Sequence, residues 1–241
     1  MRACVYTAIY GDYDVLQEQT EQSVLTDFVC FTDSAGVCQS QIWKVIQNCE
    51  RPELHPRMRA KYFKILSHLV FPKGMISRQL VTAAWPSHLY DYIIWIDGSI
   101  QIKSPLFVEM IVDHIPRRGL TMLKHPDRDC IYQEALASLW LQPVKYGKLP
   151  IIQQVESYRS RGYPPRNGLF AATIIGRRSR DKDLNLINNS WWAENVHWTY
   201  QDQLSLPFVL WQSGQCCIPI NVSLWSNNYF DWRPNMHSRP D

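Results

Sequence analysis

The stretch YIIWIDGSIQI, residues 92–102, decides the fold class. Tyr92 to Ile96 run without polar alternation, the pattern of a strand buried on both faces. The run delivers Asp97 into the small residues Gly98 and Ser99, after which Ile100, Gln101 and Ile102 resume the apolar character. In open α/β sheets ligands bind beyond the carboxyl ends of strands. A carboxylate there, with a glycine permitting close approach, suits a divalent cation holding phosphates. The same Asp-Gly pair equally suits a plain turn.

Working outward, ACVYTAIY (3–10), closed by Gly11 and Asp12, reads as another buried strand. DFVCFTD (27–33), SQIWKVIQ (40–47), LTMLKHP (120–126), LFAATIIG (169–176) and CCIPINVSLW (216–225) read as further strands. Residues 57–70, 77–89, 129–141, 183–194 and 201–212 read as helices, and the polar stretch holding Pro150, Pro164 and Pro165 as irregular. The tail, 226–241, lacks periodicity and is expected to add no core element. Unalternating strands separated by helices imply one continuous α/β domain, a mostly parallel central sheet covered on both faces.

Composition narrows the function. A chain of 241 residues with 46% hydrophobic and 20% charged residues is an ordinary globular one. A net charge of +3 is too balanced for nucleic acid as the main partner. The apolar runs fall far short of the roughly 18 residues that cross a bilayer, so no transmembrane segment is expected. The N-terminal MRACVYTAIYGDY turns polar too early for a signal peptide. Seven cysteines, an odd number without CxxC or Cys/His ligand spacing, read as reduced thiols in a cytoplasmic setting. The sequons at Asn188 and Asn221 are then without a role.

Several clusters bear chemistry. In HPRMRAKYFKILSHLV (55–70), Arg57, Lys61, Lys64 and His68 are spaced four, three and four apart, which lines them up on one helix face. No acidic residue interrupts the stripe. Such a row cradles a diphosphate or is a solvated face, and its residues are expected to matter little to folding. Asp202 and Gln203 open an apolar helix in YQDQLSLPFVLW (200–211), where a first-turn carboxylate also matches the helix dipole. His125, Arg128, Asp129 and Glu134 cluster in KHPDRDCIYQEA, and His237 stands in the tail between Arg233 and Arg239.

Taken in order, YTAIYGDYD, DFVCFTD, the RxxxKxxKILxHxxFP block, YIIWIDGSIQI, KHPxRDCIYQEA, WWxE and DQLSLPFVLW resemble a glycosyltransferase-like family. That family was once catalogued as domain of unknown function 616. It includes plant proteins linked to mucilage and turgor regulation and bacterial polysaccharide-locus proteins. The resemblance covers about residues 3 to 239. It implies a GT-A-type nucleotide-binding sandwich in one domain, 1–241, with a nucleotide-binding half to about residue 103 and an acceptor-side half after it.

Residue by residue, the resemblance makes Asp97 the first aspartate of a DxD-like motif, followed by Gly98 and by Ser99 where most such enzymes carry the second aspartate. His237 is similar in placement to the C-terminal metal-binding histidine of retaining family-8 enzymes. Asp97, Ser99 and His237 are therefore the expected ligands of Mn²⁺ or Mg²⁺. Thr7, Ala8, Tyr10 and Asp33 fall where such folds hold base and ribose. The stripe of Arg57, Lys61, Lys64 and His68 is the expected diphosphate cradle, and His125 is a further expected donor-binding residue. Asp202 is the base of an inverting transfer, or Gln203 the neutral group beside the anomeric carbon in a retaining one. The expected activity is transfer of a sugar from a nucleotide donor, UDP-linked, to a hydroxyl of a glycan or other acceptor in polysaccharide or glycoconjugate synthesis. The alternative is a non-catalytic sugar-nucleotide or glycan-binding module, which ten tryptophans and twelve tyrosines also suit. An amide hydrolase finds no Ser/His/Asp or HExxH support.

Overall fold

The structure, a computed structural model, describes residues 1–34, 40–48, 51–70, 90–179 and 181–233. The expected helix at 77–89, His237 and Arg239 lie outside the described residues.

The strands are β1 (Arg2–Ile9), β2 (Leu25–Thr32), β3 (Trp43–Gln47), β4 (Tyr92–Ile96), β5 (Ile100–Ile102), β6 (Leu120–Lys124), β7 (Phe170–Arg178), β8 (Cys217–Ile220) and β9 (Phe230–Trp232). The helices are α1 (Pro56–Ile65), α2 (Ser67–Val70), α3 (Phe107–Asp113), α4 (Ile131–Leu141), α5 (Pro143–Tyr146), α6 (Ile151–Ser160), α7 (Lys182–His197) and α8 (Asp202–Ser213). Seven strands form the main sheet in the order β3-β2-β1-β4-β7-β6-β8. All its neighbours run parallel except at β7, which is antiparallel to both β4 and β6. The α/β class and the mostly parallel sheet are as the sequence implies.

Both faces are covered because strand residues alternate between two cores. From β1, Cys4, Tyr6 and Ala8 join one cluster with Phe63 of α1, Trp191 of α7 and Val209 of α8. Ala3, Val5 and Ile9 join the other with Phe107 and Ile111 of α3. A third cluster, Ile131, Tyr146, Ile151, Tyr158 and Phe208 among others, ties α4, α5 and α6 to α8.

Several boundaries differ from the sequence reading. Residues 92–102 are two strands: the chain turns at Asp97–Ser99, and β5 leaves the main sheet to pair antiparallel with β9, Ile102 opposite Phe230. The described part of the tail, 226–233, therefore does contribute to the core, because Phe230 is buried and packs edge-on against Phe107 at 6.1 Å. The 57–70 helix breaks at Leu66 (φ −88°, ψ 43°), leaving α2 as a separate turn. The strand at 216–225 shrinks to β8 at the sheet edge. Helix α6 was hidden in the polar stretch: Ile151, Val155 and Tyr158, four and three apart, bury one face while its other residues are mainly polar.

Candidate active site

Helix α1 starts at the carboxyl end of the sheet, where the chain leaving β1 turns at Gly11 (φ +64°). A Cβ at Gly11 would lie 2.9 Å from the Pro56 ring, so glycine is needed both for the turn and for the docking of α1 on it. His55 caps the helix, its Nδ1 accepting from the Arg57 amide at 3.3 Å. Lys61 and Lys64, one turn apart, then point at carboxylates from two distant elements. The Lys64 ammonium lies 2.8 Å from Asp202 Oδ2 and 3.2 Å from Asp97 Oδ1. Lys61 Nζ reaches the same Asp202 oxygen at 2.6 Å. Trp95 donates its indole N–H to Asp97 Oδ1 at 2.7 Å. Trp191 fixes the first turn of α8 by donating to the Asp202 carbonyl at 3.0 Å.

Only 2% of the Lys64 side chain and 4% of that of Asp202 meet solvent. Burial alone would raise the Asp202 pKa, but the Lys61 and Lys64 ammonium groups outweigh it and hold the carboxyl well below its usual range. Burial disfavours the Lys64 charge, yet Asp202 and Asp97 keep it above the ordinary lysine range. Both groups stay ionised at neutral pH.

Two further cations stand beside this core. The Arg57 guanidinium lies 4.2 Å from the Tyr13 ring centroid and 5.8 Å from that of Tyr200, and the His55 ring stacks on Tyr200 at 6.1 Å. Tyr200 in turn donates its hydroxyl to the Lys145 carbonyl at 2.6 Å. Burial, then repulsion from Arg57 and Lys61, pushes the Lys145 ammonium down to about 8, with Asp202 and Asp97 opposing. Lys145 makes no ion pair among the described residues. Three ammonium groups thus gather round two carboxylates, before Arg57 is counted.

Residues 1–230 match the family described as TOD1/MUCI70, glycosyltransferase-like domain. The chain belongs to the TOD1/MUCI70 family. No curated protein matches its sequence. Among solved structures it is similar to mouse xyloside xylosyltransferase 1 in its apo form, at 11% identity and a TM-score of 0.49, covering 91% of this chain and 85% of that one.

In this TOD1/MUCI70 domain the expected donor-site residues do not all converge. Arg57, Lys61, Lys64, Asp97 and Asp202 come together, and Gln203 stands half-buried beside Asp202. His68 does not join them, because the break at Leu66 turns it away; its Nδ1 lies 3.4 Å from Asn188 Nδ2. Ala8 and Tyr10 are core residues, Tyr10 stacked on Phe63 at 5.5 Å and lying under the Arg59 guanidinium at 4.2 Å. Thr7 is buried in β1 with its hydroxyl unpartnered. Asp33 accepts from Arg59 at 2.7 Å and from the Gly11 amide at 3.1 Å. His125 Nδ1 accepts from the Asp127 and Arg128 amides, which leaves the proton on Nε2, 3.5 Å from Glu134 Oε2. Glu134 also pairs with Arg128 at 2.6 Å. Burial, more than the Arg128 charge, holds His125 below its ordinary value.

Lys145 was missed. It sits in the aperiodic PVKYGK, and its one sequence signal is that no acidic residue occurs between Glu134 and Glu156. Lys61 and Lys64 of the stripe do not form a freely solvated face, since both are paired with the buried Asp202.

Asp97 Oδ1 is already engaged by an ammonium and an indole. Ser99 is 9% exposed, and its carbonyl accepts from the Arg233 amide at 2.8 Å. Gly98 lets Asp14 pack on the turn, since a Cβ there would lie 2.8 Å from the Asp14 Cβ. Among the described residues no three His, Cys, Asp or Glu side chains gather. Mn²⁺ or Mg²⁺ needs several oxygen ligands, and the described donors at the turn, the Asp97 carboxylate facing a lysine, the Asp14 carboxylate packed on Gly98 and the Ser99 hydroxyl, do not include a third acidic, histidine or cysteine side chain.

Proposed function

We propose that this domain transfers a sugar from a nucleoside-diphosphate donor, UDP-linked, to a hydroxyl of a glycan or other acceptor. The observation that carries the reading is the gathering of Lys61, Lys64, Lys145 and Arg57 round Asp97 and Asp202, at the carboxyl end of β4. When the sugar leaves, negative charge develops on the departing diphosphate. Cations held in place beforehand in a dry site stabilise that charge without reorganising. Asp202 and Asp97 serve to hold the lysines in position. The rings of Tyr13, Tyr200 and His55 flank Arg57 and provide stacking surface for a base or sugar. Gln203, next to Asp202, is the neutral polar group available to the sugar.

A second reading, a module that binds a sugar nucleotide without turning it over, is favoured by one observation. Asp202, the carboxylate nearest the expected place of a base, is bound by two ammonium groups and accepts a proton poorly. The deciding experiment is a thermal-shift panel of UDP-, GDP- and other nucleotide sugars, followed by assays of donor hydrolysis and transfer on the ligands that bind. A native-state ligand raises the melting temperature by mass action. Binding with turnover supports the transferase, binding without turnover the module, and no shift with any nucleotide overturns both.

A further inference from the structure

Among the described residues no three acidic, histidine or cysteine side chains gather to hold the expected divalent cation. Asp97, the one carboxylate of the IDGS turn, faces the Lys64 ammonium at 3.2 Å, and the same ammonium bridges to Asp202 at 2.8 Å. Lys64 is almost wholly buried there, so it is built into the site and is not a surface chain free to swing away. Trp95 holds the same Asp97 oxygen from the other side. A divalent cation arriving at Asp97 would meet a fixed positive charge within contact distance. Ser99 stands where a DxD-like motif has its second aspartate, and beside Asp97 only the Asp14 carboxylate, packed on Gly98, is at the turn among the described residues to offset that repulsion.

We infer that the donor diphosphate is neutralised by the chain's own cations, with Lys64 standing where the family resemblance places the metal. Lys145 adds a cation that makes no ion pair among the described residues. Nucleotide binding is then independent of divalent ions. This rests on the reading of the site as a diphosphate site.

The test uses the full 241-residue chain, so that His237 is present. UDP and inorganic pyrophosphate are titrated calorimetrically into protein stripped with EDTA, and again with excess Mn²⁺ or Mg²⁺. The expected result is binding in EDTA, with the affinity changed by less than about threefold on adding either metal, well under the tenfold that 1.4 kcal/mol represents. Lys145→Ala, which leaves the buried cluster intact, is expected to bind UDP about tenfold more weakly in EDTA, with no recovery on adding metal. UDP binding that requires Mn²⁺ or Mg²⁺, or tightens tenfold or more with them, overturns the inference and leaves the diphosphate reading standing. Failure to bind UDP in either condition, with the protein folded, overturns both.

Discussion

The two ends of the central sheet carry similar residues arranged differently. At the carboxyl end of β4, Lys61, Lys64, Asp97 and Asp202 form one cluster in which Lys64 and Asp202 are buried and Lys61 and Asp97 are partly so, with Lys64 shared between two carboxylates. At the opposite end Arg117, Arg118, Arg178 and Lys182 meet Asp91, Asp181 and Asp183 round a shallow cavity. There the Arg118–Asp183 pair spans 3.6 Å with 77% and 40% of the side chains exposed, and Asp181 is occupied in capping α7 and accepting from the Gly119 amide. Charge count does not separate the two ends. Burial does: water screens one set, whereas in the other each charge depends on its neighbours.

The largest expected effect comes from breaking the buried cluster. Lys64→Met leaves Asp202 buried with Lys61 as its remaining ammonium partner, and is expected to lower unfolding stability by about 3–5 kcal/mol, read from denaturant midpoints. A loss under about 1 kcal/mol would place this cluster in the same screened class as the opposite end.

Acid sharpens the contrast next. The folded Asp202 carboxyl titrates well below its ordinary 3.8, so its contribution is complete above that value. It is lost as pH falls through 3.8 towards the depressed folded value. Asp202→Asn is therefore expected to flatten the acid limb of the stability curve. Equal acid limbs in wild type and Asp202→Asn would refute the depression.

A smaller effect is a proton. The Lys145 ammonium titrates near 8, and a bound diphosphate favours its charged form. Nucleotide binding at pH 8 should take up roughly half a proton, and at pH 6 almost none. Calorimetry in buffers of different ionisation enthalpy measures this, and Lys145→Ala should abolish it. The smallest expected effect is at the other end, where Arg118→Ala should change stability by no more than about 0.5 kcal/mol.

The same contrast marks how much the sequence showed. Unbroken apolar runs such as CVYTAI and YIIWI gave the strands and the class, because a buried parallel strand needs no alternation. The pairing of Lys61 and Lys64 with Asp97 and Asp202 was not legible, since the partners lie 33 and 141 residues away along the chain. The helix break at Leu66 was equally hidden, as apolar residues continue across it, and it removes His68 from the stripe. β9 was missed because three residues carry too little periodicity, and α6 because its apolar face is narrow. Lys145 is brought in by the packing of α5 on Tyr200, which no local pattern announces.

Whether cations at the carboxyl end of the sheet hold a nucleoside diphosphate is decided by UDP affinity in three folded variants. Arg57→Ala and Lys145→Ala each remove one charge-assisted contact at this end without touching the Lys64 bridge, and Arg118→Ala removes an arginine at the other. The first two are each expected to bind UDP at least about tenfold more weakly, a charge-assisted bond being worth about 1.5–3 kcal/mol, and Arg118→Ala to bind as wild type. Three variants with the affinity of wild type, or a loss confined to Arg118→Ala, would contradict that expectation.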